Sequence, residues 1–294
     1  MSKNFSSKVL CKSIMVIFLV LYAGCAGSVY KKGAVIFNDA TLPTLKGYER
    51  IIEEYEKQGV ILKARSVQGS RITREDDLRN ALKIDAAEWI AFRRFLLEAL
   101  KTYTEALSAL ASVGSAEEVK NSFLNLGSKL DKLGIDKAKS ASKTVGSLAK
   151  TFIDTHVKAK IRKRIVQADP EIQEIIGTLS RELKLFKSSM KIEYSSEWNM
   201  LRAELQEKSK SVQGFADSLE KVRLLLQMQK QLLKKEKIPE LVDLILKSLE
   251  KMSRAHAVLA RKAGRTKKSA ILKELNVYLN RAKDVEALLD ELDI

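Results

Sequence analysis

Proline is nearly missing from this chain and glycine is scarce: three and 13 in 294 residues, against average usage of roughly 5% and 7%. That is too little turn punctuation for a β-sandwich or barrel, so the chain should be mostly helix. Two cysteines and two histidines leave little material for disulfides or metal sites. Aromatic residues make up only 6%. What is present is an apolar fraction of 45% beside a charged fraction of 31%, enough to form a core and solvate its outside, which excludes global disorder. Lysine and arginine number 53 against 37 acids, a net +16. A surplus of that size calls for an anionic partner or environment.

The surplus begins at the N-terminus. Lys3, Lys8 and Lys12 precede an uncharged, almost wholly apolar run from Ile14 to Ala23. This is the order of an n-region and an h-region. A helix of about ten residues rises only ~15 Å, half of a ~30 Å hydrocarbon layer, which suits a signal peptide better than a stable span. The run closes in Leu21-Tyr22-Ala23-Gly24-Cys25, with small residues at the two positions before a cysteine.

In residues 1–25 the chain resembles the bacterial lipoprotein precursors, whose lipobox ends in small residues and an invariant cysteine. The resemblance implies a diacylglycerol on the Cys25 thiol, cleavage just before it and acylation of the new amine, with Cys25 as residue one of the mature chain. Tyr22 stands where leucine is commoner in that class. Ala26 follows the cysteine in place of the aspartate that favours inner-membrane retention, so the sorting implied is to the periplasmic face of the outer membrane. An uncleaved anchor is the alternative, since Ser13 to Tyr30 carries no charge and reaches the lower length limit for a span. In both cases the positive charges stay inside and the bulk of the chain is exported. With Cys11 removed and Cys25 acylated, no cysteine is left for a disulfide or a metal site.

After cleavage the chain keeps 50 basic and 37 acidic residues, so the excess belongs to the folded part. Residues 25–44, with Gly27, Gly33, Asn38-Asp39 and Pro43, are expected to be a lipidated tether. Residues 45–72 should hold a short helix, Leu45 to about Lys57, and an irregular segment. Residues 73–294 have the punctuation of a helical bundle. Thr73 caps a helix running to about Val113, and Ser115 with Glu118 forms a capping box for one closed by Gly134. Asp136 restarts the chain. Asp169-Pro170-Glu171 and Pro239 have the form of helix starts with proline at the first position. Gly264 and Thr266 separate the last two helices, the final one ending near Asp293. Ile172, Ile176, Leu179, Leu183, Phe186 and Met190 form a heptad seam. It slips by one residue to Tyr194, Trp198, Leu201 and Leu205, then resumes as Val212, Phe215, Leu219, Val222 and Leu226. Residues 170–237 therefore make one very long helix or two, with Ser209 to Gly214 as the break. The expected fold is all-α: an elongated antiparallel bundle with coiled-coil-like long helices.

Catalytic motifs have no positive support. Neither His156 nor His256 has the Glu-x-x-His or His-Glu-x-x-His spacing of helical metal sites, and His256, between Met252 and Leu259, suits a core-flanking position. Ser-x-x-Lys occurs at Ser28, Ser140, Ser147, Ser188, Ser218 and Ser248, the background of a lysine-rich helical chain. Serine-elbow, phosphate-loop and dinucleotide motifs do not occur. The expectation is a chain without enzymatic activity, cofactor or metal.

The positive charge is uneven. Lys158, Lys160, Arg162, Lys163 and Arg164 form one cluster, and Arg261, Lys262, Arg265, Lys267 and Lys268 a second. The bland account is a solvated face with cations near helix C-termini, where the dipole favours them. The functional account is attraction to anionic lipid, lipopolysaccharide phosphates or an acidic envelope protein. Nucleic acid ranks low for an exported chain. The last 11 residues carry only acids, Asp284 to Asp293, which could meet a basic cluster within the chain or across a homo-oligomer. Two functions follow: a lipid-tethered binding or scaffold protein, or a membrane-active (pore-forming or membrane-remodelling) bundle whose best lipid-entering segment is Ala106 to Val113.

Overall fold

The computed structural model describes residues 29–56, 75–112, 121–126, 138–153, 161–210, 215–261 and 268–293. Among them are seven helices and no strand: α1 (29–56), α2 (Glu75–Ala111), α3 (121–126), α4 (Ala138–Ile153), α5 (Ile161–Lys210), α6 (Phe215–Ala260) and α7 (Lys268–Asp293). The all-α bundle is thus what the periodicity required. The caps and stops expected at Thr73, Ser115, Gly134, Asp136, Gly264 and Thr266 lie outside the described residues.

Each long helix buries one stripe. On α7 it is Ile271, Leu275, Tyr278, Ala282, Val285, Leu288 and Leu292, three and four apart, so the side chains stay on one face of a 3.6-residue helix. On α5 the expected seam is buried from Ile172 through Phe186. Met190 to Val222 of the expected continuation have side chains outside the described residues. Leu226 differs from expectation, being 59% exposed. It lies twelve residues before the buried Ile238, about three and a third turns, which rotates it some 120° off the face α6 buries.

Pairwise contacts fix the directions. Gln173 of α5 donates to the Ser253 carbonyl of α6 at 3.0 Å, and Lys187 pairs with Asp243, so α5 and α6 are two separate, antiparallel helices. The two-helix alternative therefore holds. α4 returns along the first turns of α5, where Thr144 donates to Glu174 at 2.8 Å and Ser147 to Glu171 at 2.6 Å. α2 runs against α5 through the Arg93–Glu182 pair.

The largest departure is α1. Residues 29–44, expected to be a tether, are its first half, with Tyr30, Ala34, Phe37, Ala40, Thr41 and Thr44 all buried. Gly33, read as part of the tether, and Gly47 permit close packing: a Cβ at Gly33 would stand 2.9 Å from Leu259 Cδ2, and one at Gly47 2.7 Å from Val285 Cγ1.

Pro43, Pro170 and Pro239 all lie inside helices, a correction to the expected helix starts at Asp169-Pro170 and Pro239. An interior proline costs about 3 kcal/mol. Burial of Ile165, Ile172, Ile175 and Ile176 on either side of Pro170, about 1.5–3 kcal/mol each, outweighs it. Pro170 itself points outward, so its ring displaces no core residue.

Candidate functional site

Two features of the bundle stand out chemically, a buried polar layer and a basic end. The layer is centred on His256, which is fully buried. Its Nδ1 lies 2.7 Å from Asp169 Oδ1 and its Nε2 2.6 Å from the Tyr103 hydroxyl. The arrangement that satisfies every atom has Tyr103 donating to Nε2 and Nδ1–H donating to Asp169. Gln173 also donates to Asp169, at 3.1 Å. Burial pushes the Asp169 carboxyl up, but the hydrogen bonds from His256 and Gln173 and the attraction of the imidazole outweigh it and hold the carboxyl below its ordinary value. Burial raises the Tyr103 phenol far above its usual range, with the Asp169 charge adding to the effect, so it remains a donor. Phe37 packs on the imidazole with centroids 5.5 Å apart. No solvent reaches His256 or Tyr103, and this Asp–His–Tyr chain ties α5, α6 and α2 together.

Two further polar clusters do similar work. Thr44 hydrogen-bonds Ser248 at 2.7 Å, and Tyr278 donates to Thr41 at 3.2 Å, joining α1 to α6 and α7. Tyr48 donates to the Leu179 carbonyl at 3.1 Å, beside Arg93, whose side chain is wholly buried and paired with Glu182. Among the described residues no group of three His, Cys, Asp or Glu could hold a metal ion.

The His256 layer also orients the bundle. Phe37 of α1, Asp169 of α5 and Tyr278 of α7 gather around it, and all three helices run the same way through it. At 1.5 Å per residue, the first described residue of α1, the starts of α5 and α7 and the end of α6 lie within about 15 Å of this layer, on one side. That end of the bundle carries Lys31, Lys32, Arg162, Lys163, Arg261 and Lys268. The first acids of α1, α5 and α7 are Asp39, Asp169 and Glu274, each more than a turn inside its helix. Two clusters almost a hundred residues apart in sequence are thus brought together, and α1 adds two lysines that the tether reading passed over. Lys163, Arg261 and Lys268 are exposed and Arg162 is half-buried. Lys158, Lys160, Lys262, Arg265 and Lys267 lie outside the described residues, as do His156 and Cys25.

Arg164 is not part of this surface. It is 4% exposed, donates to the Thr151 carbonyl of α4 and lies over the Phe152 ring at 5.3 Å. It neighbours Ile165 on the face that α4 covers, so its position on the helix, rather than its charge, decides its environment.

Arg162, Lys163 and Lys268 stand in the first turns of α5 and α7, where the dipole disfavours positive charge by about 0.3–1 kcal/mol each. At the opposite end cations are neutralised: Arg94 by Glu56, Lys187 by Asp243 and Lys237 by Glu291. The acidic C-terminal stretch therefore meets α6 at Lys237 and lies at the far end from both basic clusters.

Among the described residues no helix is long and apolar enough to cross a membrane. Of the proposed lipid-entering segment, Ala106 and Leu107 are in the core and Leu110 packs against it. No protein-family model, no curated protein and no solved structure matches this chain.

Proposed function

We propose that the chain is a lipid-tethered bacterial envelope protein, a helical bundle held at the periplasmic face of the membrane through Cys25 and binding another envelope component through its basic end. Its work is recognition or scaffolding rather than catalysis. The observation that carries the reading is the position of α1. Its first described residue, Val29, lies four residues after Cys25, the helix is locked into the core by Gly33 and Gly47, and Lys31 and Lys32 stand at the end where the unneutralised cations gather. A tether at Cys25 would therefore hold the basic end next to the membrane. Supporting it at the sequence level are the n-region, the apolar run and the small residues before Cys25.

Mass spectrometry of the protein isolated from cells tests the tether. The wild type is expected to lose 24 residues and gain acyl mass, while Cys25→Ser keeps its precursor length. Full-length, acyl-free protein in the wild-type sample would end the lipoprotein reading.

A further inference from the structure

We propose that the basic end is a docking surface for anionic phospholipid headgroups, on which the bundle stands with Lys31 and Lys32 of α1 and the starts of α5 and α7 toward the membrane and its acidic C-terminus away from it. The inference deepens the tethered-envelope reading and rests on it for the nearness of the membrane. Lys31, Lys32, Lys163, Arg261 and Lys268 are exposed and make no ion pair among the described residues, whereas the far end neutralises Arg94, Lys187 and Lys237 with acids of neighbouring helices. Neither α5 nor α7 has an acid in its first turn. Folding gains nothing from lysine at these N-termini. The positive ends of the α5 and α7 dipoles add to the same potential.

Geometry selects lipid over a soluble partner. From Cys25 to residue 29 the extended chain spans at most ~14 Å, and the Debye length at physiological salt is about 8 Å. A bundle anchored by an acylated Cys25 keeps these cations within about two Debye lengths of the headgroups. A globular protein or a nucleic-acid duplex would have to enter a gap narrower than itself. Each lysine or arginine near an anionic leaflet raises affinity about fivefold, so five of them suffice to fix the orientation of a molecule already held by its lipid.

The test uses the full chain as processed by the cell, with vesicles of pure phosphatidylcholine and vesicles containing about a third phosphatidylglycerol. Flotation with the neutral vesicles measures the tether. Amine labelling of Lys31, Lys32, Lys163 and Lys268, against Lys187 and Lys237 as far-end controls, measures docking. Labelling of the four is expected to fall at least fivefold on anionic vesicles at low salt and to recover at high salt. In Lys32→Glu/Lys163→Glu/Lys268→Glu the remaining Lys31 should lose its protection on anionic vesicles, while the variant still floats on neutral vesicles. It should also unfold at the same or a higher temperature, because acids replace cations in the first turns of α5 and α7. Equal labelling on neutral and anionic vesicles overturns the docking inference. So does protection by free polyuridylate RNA but not by anionic vesicles. Salt-sensitive protection on anionic vesicles without flotation on neutral ones removes the tether and leaves the docking surface standing.

Discussion

Gly47 of α1 and Val285 of α7 approach so closely that a Cβ on the glycine would sit 2.7 Å from Val285 Cγ1, with Ile245 Cδ1 of α6 at 3.1 Å on its other side. The contact makes α1 an integral wall of the bundle, and its cost can be measured. Gly47→Ala should destabilise by about 1–3 kcal/mol, the usual penalty for overfilling a packed core. Val285→Ala in the same chain should recover part of the loss, because it removes the methyl that collides. Urea unfolding of the two single variants and the double provides the check. Additive losses would mean that α1 does not pack at this depth.

The His256 layer predicts a different signature. His256→Ala opens a cavity and strips a buried partner from both Tyr103 and Asp169, so it should cost about 3–5 kcal/mol. Tyr103→Phe removes one hydroxyl and leaves Nε2 without its donor, which should cost about 1–3 kcal/mol. Because the groups form one chain, the double variant should lose less than the sum. Losses under about 0.5 kcal/mol for both single variants, the range of an ordinary surface substitution, would show that the layer is not formed.

What the sequence made readable, and what it hid, divides along local and long-range information. The apolar stripes of α5 and α7 follow from residues three and four apart, and α2 and α7 begin and end, and α4 begins, within a few residues of expectation for that reason. The basic clusters were visible as composition, but their convergence depends on α5, α6 and α7 folding back on one another. Asp169 has the local form of a helix cap, yet its partner His256 lies 87 residues away. Gly33 and Pro43 suggested irregular chain because their local meaning is punctuation. Inside a bundle a glycine also admits a neighbouring helix, and an outward-facing proline is tolerated. Arg164 could have been separated from Lys163 by its adjacency to the Ile161–Ile165 stripe, the one signal in the sequence that it faces inward.

Acid should weaken the fold through Asp169. Its carboxyl titrates below the ordinary value in the folded chain, so the folded state favours the ionised form. The resulting stability is present in full above the unfolded value of about 4 and is lost as the pH falls through the lower folded value. The urea midpoint of the wild type should therefore drop below about pH 4 more steeply than that of Asp169→Asn. Parallel curves for the two chains from about pH 5 to about pH 2 would remove Asp169 as a source of acid sensitivity.

Pro170 separates two descriptions of α5. If α5 runs unbroken from Ile161, position 170 lies in the helix interior, where proline withholds an N–H from the Val166 carbonyl and its ring crowds the preceding turn. Alanine restores the bond at a site that faces solvent, so no packing is lost to offset the gain. Pro170→Ala should then stabilise the protein by about 1–3 kcal/mol, and Pro239→Ala in α6 should act in the same direction. If the helix instead began at Pro170, the proline would fill a position whose N–H has no helical partner, and it would also limit the freedom of the unfolded chain. Alanine would then leave stability unchanged or lower it. Thermal unfolding of the two alanine variants decides between these outcomes, and a fall at position 170 would return the first turns of α5 to a separate element that packs against α4.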